Sequence, residues 1–250
     1  MQRDELQSYL EEYLDAKSFA DYCPNGLQCA GSEEVRKIAT GVTASAEMIR
    51  RAVEIGADTV LVHHGILWKG VVNTYTGGYR ERVRLLIENN LNLFGFHLPL
   101  DAHPEVGNNV ELARLLGLTD VEPFGEYNGK SIGMCGQTGG ISLDELCERL
   151  RRGLDREPTV CPGGPNRIHS VGLITGGAQG ELGQAIDRSL DAYITGECSE
   201  MNFHQAMEEG IHFIAAGHHA TERGGPRALG LHLAQKFGLE VEFVDVPNPV

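Results

Sequence analysis

Five of the ten histidines stand where short apolar runs end: His63 and His64, His97, and His218 and His219. Two carboxylates follow at close spacing, Asp101 four residues after His97 and Glu222 four residues after His218. In parallel sheets, ligand sites collect at the C-terminal ends of strands. Imidazole nitrogens and carboxylate oxygens without thiolate suit Zn²⁺, Fe²⁺, Mn²⁺ or Co²⁺, and affinity order does not choose among them. Three histidines with two carboxylates suffice for a dinuclear centre in which Glu222 bridges, with His97 or His219 in reserve. Such centres hold ions about 3.5–4 Å apart and activate water for hydrolysis.

Each cluster has a second reading. Neighbouring side chains on a strand point to opposite faces, so His63 and His64 do not easily grip one ion. At a strand end running into Gly65 each could address a different ion; alternatively, one is a core residue and the other exposed. Pro99 breaks the ladder and leaves Asp101 in a loop at a strand mouth, as a hard ligand or a solvated turn cap. Thr221 reads as an N-cap, and Glu222 in a first helical turn has the macrodipole as a sufficient reason of its own. Glu197 stands at another strand end, facing the site or opening a helix. His103 lies just past Asp101, and His169, His204, His212 and His232 read as surface or satisfied core residues.

The elements that must position these groups alternate. Leu6, Tyr9, Leu10, Tyr13 and Leu14 give a first amphipathic helix. Strands read at 37–43, 59–63 and 91–97, with helices at 46–55, 80–89 and 108–116. A second series has strands at 131–136, 170–175, 192–195, 212–216 and 241–246, with helices at 142–152, 182–190, 200–208 and 222–237. Strands separated by helices imply crossover units and largely parallel sheets. Pro24-Asn25-Gly26 is turn chemistry. The soft composition of 123–130 divides the chain into an N-terminal α/β part, 1–125, and a C-terminal one, 126–250, with the last strand free to return to the first part.

The 250 residues are 41% apolar and 22% charged, enough for a sizeable core without disulfides. The net charge of −14 disfavours a general nucleic-acid binder. No run approaches a membrane span, and Met1-Gln2-Arg3-Asp4-Glu5 lacks a signal peptide's apolar core, so the expected compartment is the cytoplasm. The six cysteines contain no C-x-x-C pair and read as reduced structural residues.

Five separated motifs resemble the Nif-three-like family, also called the GTP cyclohydrolase 1 type 2 homologue family. They are Asp21 to Gln28, Val62-His63-His64-Gly65, His97 to Pro104, Gly107-Asn108-Asn109, and Ala216 to Gly225; the closing Val246-Pro247-Asn248-Pro249 is similar too. The resemblance runs the whole length and is nearest to compact bacterial members without a central insertion. It implies two interlinked α/β halves, a dimetal cleft between them and a ring-shaped homohexamer. It implies His63, His64, Asp101, His218 and Glu222 as ligands of two divalent transition-metal ions per chain. His97 is similar to a residue lining the site, and His219 stands where members often carry an aromatic; both are candidates for proton transfer. The function expected is a metal-dependent hydrolase of a small molecule or nucleotide. The alternatives are a non-catalytic metal-handling protein and a ring-shaped scaffold. No GxxxxGK[ST] phosphate loop is present, so GTP rests on the family name alone.

Overall fold

The computed structural model describes residues 1–71 and 74–250. It resolves into two compact units: residues 1–100 with 225–247, and residues 101–224 with 248–250.

In chain order the elements are α1 (Arg3–Tyr13), β1 (Gly26–Cys29), β2 (Lys37–Thr43), α2 (Ala46–Glu54), β3 (Thr59–His64), α3 (Gly77–Glu88), β4 (Asn92–Gly95) and α4 (Leu98–Ala102). There follow α5 (Asn108–Leu116), β5 (Thr119–Tyr127), β6 (Lys130–Ile141), α6 (Leu143–Leu154), β7 (Thr159–Pro162), β8 (Ile168–Leu173) and α7 (Leu182–Asp187). The chain closes with β9 (Ala192–Thr195), α8 (Glu200–Glu209), β10 (His212–Ala215), α9 (His218–Thr221), α10 (Gly224–Phe237) and β11 (Glu240–Phe243).

The first unit holds the sheet β1-β4-β3-β2-β11. β4, β3, β2 and β11 run parallel, and β1 pairs antiparallel with β4. Val60 and Val62 of β3 and Leu93 of β4 pack with Met48, Ile49 and Ala52 of α2 and Leu85 and Leu86 of α3. Ser45 caps α2 by accepting from the Met48 amide at 3.1 Å. Burying that apolar face against the sheet is what makes so short a helix stable.

The second unit holds the sheet β5-β6-β8-β9-β10-β7. This sheet is mixed: β8, β9 and β10 are parallel, while β5, β6 and β7 enter antiparallel. Leu146, Leu150 and Leu154 of α6 pack with Ile168, Val171 and Leu173 of β8 and Ile194 of β9. Ser142 accepts from the Glu145 amide and starts α6 where the sequence places a cap.

Both units are mixed α/β. The second sheet departs from the largely parallel expectation, because the β5–β6 hairpin and the edge strand β7 enter it antiparallel; the other differences are local. The soft stretch 123–130 closes the β5–β6 hairpin: Asn128 and Gly129 both take positive φ, the Asn-Gly signature of a tight reverse turn between strands. β5 begins with exposed residues 119–123 at a sheet edge, so no apolar alternation marks it. Among the described residues no helix is long and apolar enough to cross a membrane.

Two short helices change the reading of the carboxylates. Thr221 does not cap α10; its hydroxyl donates back to the Gly217 carbonyl at 2.9 Å and accepts from the Gly176 amide at 3.1 Å. Glu222 therefore closes the four-residue α9 and stands two residues before α10 rather than in its first turn. The capping explanation for it falls away. Asp101 lies in α4 and is only 6% exposed, so it is not a solvated turn cap.

Candidate metal centre

In the first unit, β3 delivers His63 and His64 as the chain leaves the sheet. His63 is fully buried and His64 half-buried. The strand period alone would send them apart, yet their rings lie 4.5 Å apart between centroids. His97 follows β4, with its ring 5.0 Å from that of His63. A ligand nitrogen from each of His63, His64 and His97 falls within 4.8 Å of the other two.

Each of these imidazoles is held through Nδ1. His63 Nδ1 lies 3.0 Å from the Phe96 carbonyl, His64 Nδ1 lies 3.2 Å from the Thr43 hydroxyl, and His97 Nδ1 lies 2.9 Å from an Asp21 oxygen. For His63 and His97, which face a carbonyl and a carboxylate, Nδ1 must be the donor, so that in the neutral ring Nε2 is the lone-pair nitrogen; the Thr43 hydroxyl can donate to or accept from His64. Engagement of Nδ1 is how metal-ligating histidines are oriented. His103 is the opposite case: its Nδ1 accepts from the Glu105 and Val106 amides, so its proton resides on Nε2.

The loop 21–28 is the device that holds this half of the site. Asp21 accepts from the Cys23 amide, the Asn25 side chain, His97 Nδ1 and the Leu98 amide, all at 2.9–3.0 Å. Asn25 Oδ1 takes the His97 amide at 2.8 Å. Gln28 Oε1 accepts from the Ile66 amide at 2.8 Å, fixing the chain beyond the histidine pair. Burial works to raise the Asp21 carboxyl, but its hydrogen bond and charge contact with His97, with Cys23 and Asn25, hold it at about 2. Burial, then the Asp21 charge, pushes the neighbouring Cys23 thiol up to about 11, so it is not a nucleophile at neutral pH. Tyr22 and the only tryptophan, Trp68, stand edge-on to His97 at 4.9 and 5.3 Å.

In the second unit, α4 carries Asp101 and α9 carries His218, with Glu222 just beyond. Asp101 Oδ1 accepts from Asn108 Nδ2 at 2.9 Å and from the Thr175 hydroxyl at 3.2 Å. Asn109, fully buried, bonds the Asp101 carbonyl and the Thr175 amide, tying the two together. A carboxylate oxygen of Asp101 lies within 4.8 Å of one of Glu222, and both residues are buried. Two carboxylates so placed repel in a low-dielectric interior, and a cation is the natural counter-charge.

His218 Nδ1 meets Glu197 Oε1 at 2.5 Å, and its Nε2 lies 3.2 Å from Glu222 Oε1. Burial lowers its pKa, but Glu222 and then Glu197 outweigh it and lift the ring to about 9. In the metal-free protein this imidazole therefore carries a proton at neutral pH, which a metal must displace. Gly176, at φ +73°, leaves room for the pair: a Cβ there would fall 2.1 Å from Glu222 Oε1 and 3.2 Å from His218 Nε2.

His219 is buried on α9, and its amide donates to the Val250 carbonyl. Among the described residues no donor group includes it. Sequence reasoning left Asp21, Asn25, Gln28, Thr43 and Thr175 without a role in the site, and placed Glu197 there only as one of two readings. Asp21, Asn25 and Gln28 fall within the Asp21 to Gln28 motif, which marked the segment without assigning these side chains a role, and Thr43 and Thr175 carried no signal.

The family model described as Duf34/NIF3 (NGG1p interacting factor 3) matches residues 1–249. A protein of Escherichia coli K12 named GTP cyclohydrolase 1 type 2 homolog is 46% identical over 253 residues, covering all of both chains. One of the same name from Pseudomonas aeruginosa is 48% identical over 248 residues, covering 98% of each. A crystal structure of a Thermus thermophilus protein, 37% identical, superposes with a TM-score of 0.93 over the whole of both chains.

Proposed function

The chain belongs to the Duf34/NIF3 family, and from that premise we propose that it holds two divalent transition-metal ions and hydrolyses a small molecule or nucleotide in the cytoplasm. His63, His64, Asp101, His218 and Glu222 would hold the ions. The observation that carries this reading is the shared orientation of the imidazoles, each with Nδ1 engaged by a protein partner, together with the ligand-type atoms of these residues that lie within 4.8 Å of one another. The donor set fits: three imidazoles and two buried carboxylates, with no thiolate. Bound divalent ions would supply Lewis-acid polarisation and acidify a water. Glu197 holds the His218 ring through Nδ1, Asn108 and Thr175 aim the Asp101 carboxylate, and His97 would take a proton. The relatives are named as homologs of GTP cyclohydrolase 1 type 2, a name that agrees with a small molecule or nucleotide as substrate.

Metal analysis of protein purified without chelator and reconstituted with Zn²⁺, Fe²⁺, Mn²⁺ or Co²⁺ is expected to give about two equivalents, and His218→Ala about one or none. Wild-type protein that retains no metal under every condition would end this reading.

We also propose a ring-shaped homohexamer. The exposed apolar side chains of α8, Met201, Phe203 and Met207, support self-association. Light scattering at micromolar concentration is expected to give six times the chain mass of 27.2 kDa; a stable monomer refutes it.

A further inference from the structure

We propose that Tyr22 and Trp68 form a stacking subsite, beside the histidines of the first unit, for a planar heteroaromatic ring that carries an anionic group. This rests on the small-molecule reading above and names the substrate class of the same site.

Tyr22 is 44% exposed, and a single exposed aromatic needs no special cause. Its neighbours set it apart. Its ring lies 5.7 Å from that of the half-buried Trp68, 34° from parallel, and the two stand at 67° and 79° to His97. Trp68 is in turn 5.7 Å from His64. The two rings therefore extend the imidazole cluster toward solvent.

Both are held in place by their own segments. The Trp68 indole N–H donates to the Gly65 carbonyl at 3.1 Å. The Tyr22 carbonyl accepts from the Lys69 amide at 2.7 Å, and the Cys23 amide donates to Asp21 on the other side of Tyr22. Gln28 Oε1 takes the Ile66 and Leu67 amides and so fixes the chain that leads to Trp68. A surface ordered in advance loses little freedom when a ligand settles on it.

Size and charge select the occupant. A ring inserted between Tyr22 and Trp68 would need their centroids roughly 7 Å apart, two carbon contact distances. At 5.7 Å the guest stacks on the outer side of the pair, against the exposed Tyr22. An organic cation also favours an aromatic face, but the divalent ions of the proposed centre would repel it. They attract an anion, and so does Lys69, which is exposed in the segment bonded to Tyr22. Among the described residues no hydrogen bond or ion pair engages its ammonium. Every nucleobase offers a π-face, so stacking sets the class of ligand and not the base.

The only tryptophan serves as the reporter. Its fluorescence is followed in the metal-free protein during titration with adenosine and guanosine 5′-monophosphates, ribose 5-phosphate and tetramethylammonium. At least one nucleotide is expected to quench it saturably, and neither of the other two compounds. Tyr22→Leu, which keeps apolar bulk without a π-face, is expected to weaken nucleotide binding about 10-fold, as for the loss of one base stack, and Tyr22→Phe by less than about 2-fold. Lys69→Gln is expected to weaken the nucleotide about 3-fold and leave the parent nucleoside unchanged. No saturable quenching by either nucleotide overturns the proposal whatever the variants do. Equal effects of Tyr22→Leu and Tyr22→Phe, equal quenching by ribose 5-phosphate, tighter binding of tetramethylammonium, or equal binding of the nucleotide to Lys69→Gln and wild type overturn it too. Zn²⁺ titration by calorimetry keeps the two readings apart. Wild type that binds Zn²⁺ but no nucleotide retains the metal reading and loses the subsite; wild type quenched by nucleotide that binds no Zn²⁺ loses the metal reading and retains the subsite.

Discussion

Asp101→Asn is expected to raise the melting temperature of the metal-free protein and lower that of the metal-loaded protein. The buried carboxylates of Asp101 and Glu222 approach within 4.8 Å. At an effective dielectric near 20, two charges at that range repel by about 3 kcal/mol, partly offset by the imidazolium of His218. The amide removes one charge, and its oxygen can still accept from Asn108 and Thr175. A net gain of about 1 kcal/mol corresponds to roughly 2–4 °C for a protein of this size. Metal affinity is expected to fall by about 100-fold or more, since changes even to outer-sphere partners cost 10–100-fold. Scanning calorimetry with and without Zn²⁺ reads both signs. A fall in the metal-free melting temperature with unaltered Zn²⁺ affinity would make Asp101 a structural residue.

Asp21→Asn is expected to be among the most destabilising polar substitutions in the chain, by about 2–4 kcal/mol at neutral pH. Its two oxygens each face donors, so an amide leaves some donor opposite an NH₂ whichever way it turns. The effect is pH-dependent. The folded-state pKa, about 2, lies below the ordinary 3.8. The carboxylate therefore contributes its full stabilisation above about pH 4 and loses it as pH falls through about 2. Urea denaturation between pH 7 and pH 2 is expected to show wild-type and variant stabilities converging below pH 4. Parallel curves across that range would mean the Asp21 charge contributes nothing.

Much of the candidate site was legible because its residues sit in short runs. A strand-end His-His pair, an Asp four residues after His97 and a Glu four residues after His218 need only a C-terminal strand edge to become a donor set. The regular elements were legible for the same local reason. β2 and β9 occur with the expected bounds, and α2 and α5 begin at the expected residues, because buried apolar residues recur there with the period of the element. The edge strands β1 and β5 were not, since an edge needs no buried alternation and Gly26 or Gly125 masks what is left.

By itself the sequence determined the mixed α/β architecture, the family and which residues could hold a metal ion, since all three reside in residue type and local spacing. Tertiary structure decided how those residues are used. It drew together the rings of His63 and His64, which strand periodicity would separate, by ending β3 at His64. It placed Glu222 at the end of α9 rather than in the first turn of α10, where spacing alone allowed it. It set Asp21 against His97 across 76 residues, and Glu197 against His218 across 21. A tautomer, a pKa or a buried carboxylate pair depends on distances of a few ångströms between residues far apart in the chain. No periodicity encodes such distances, because they come from the packing of whole elements rather than from any one of them.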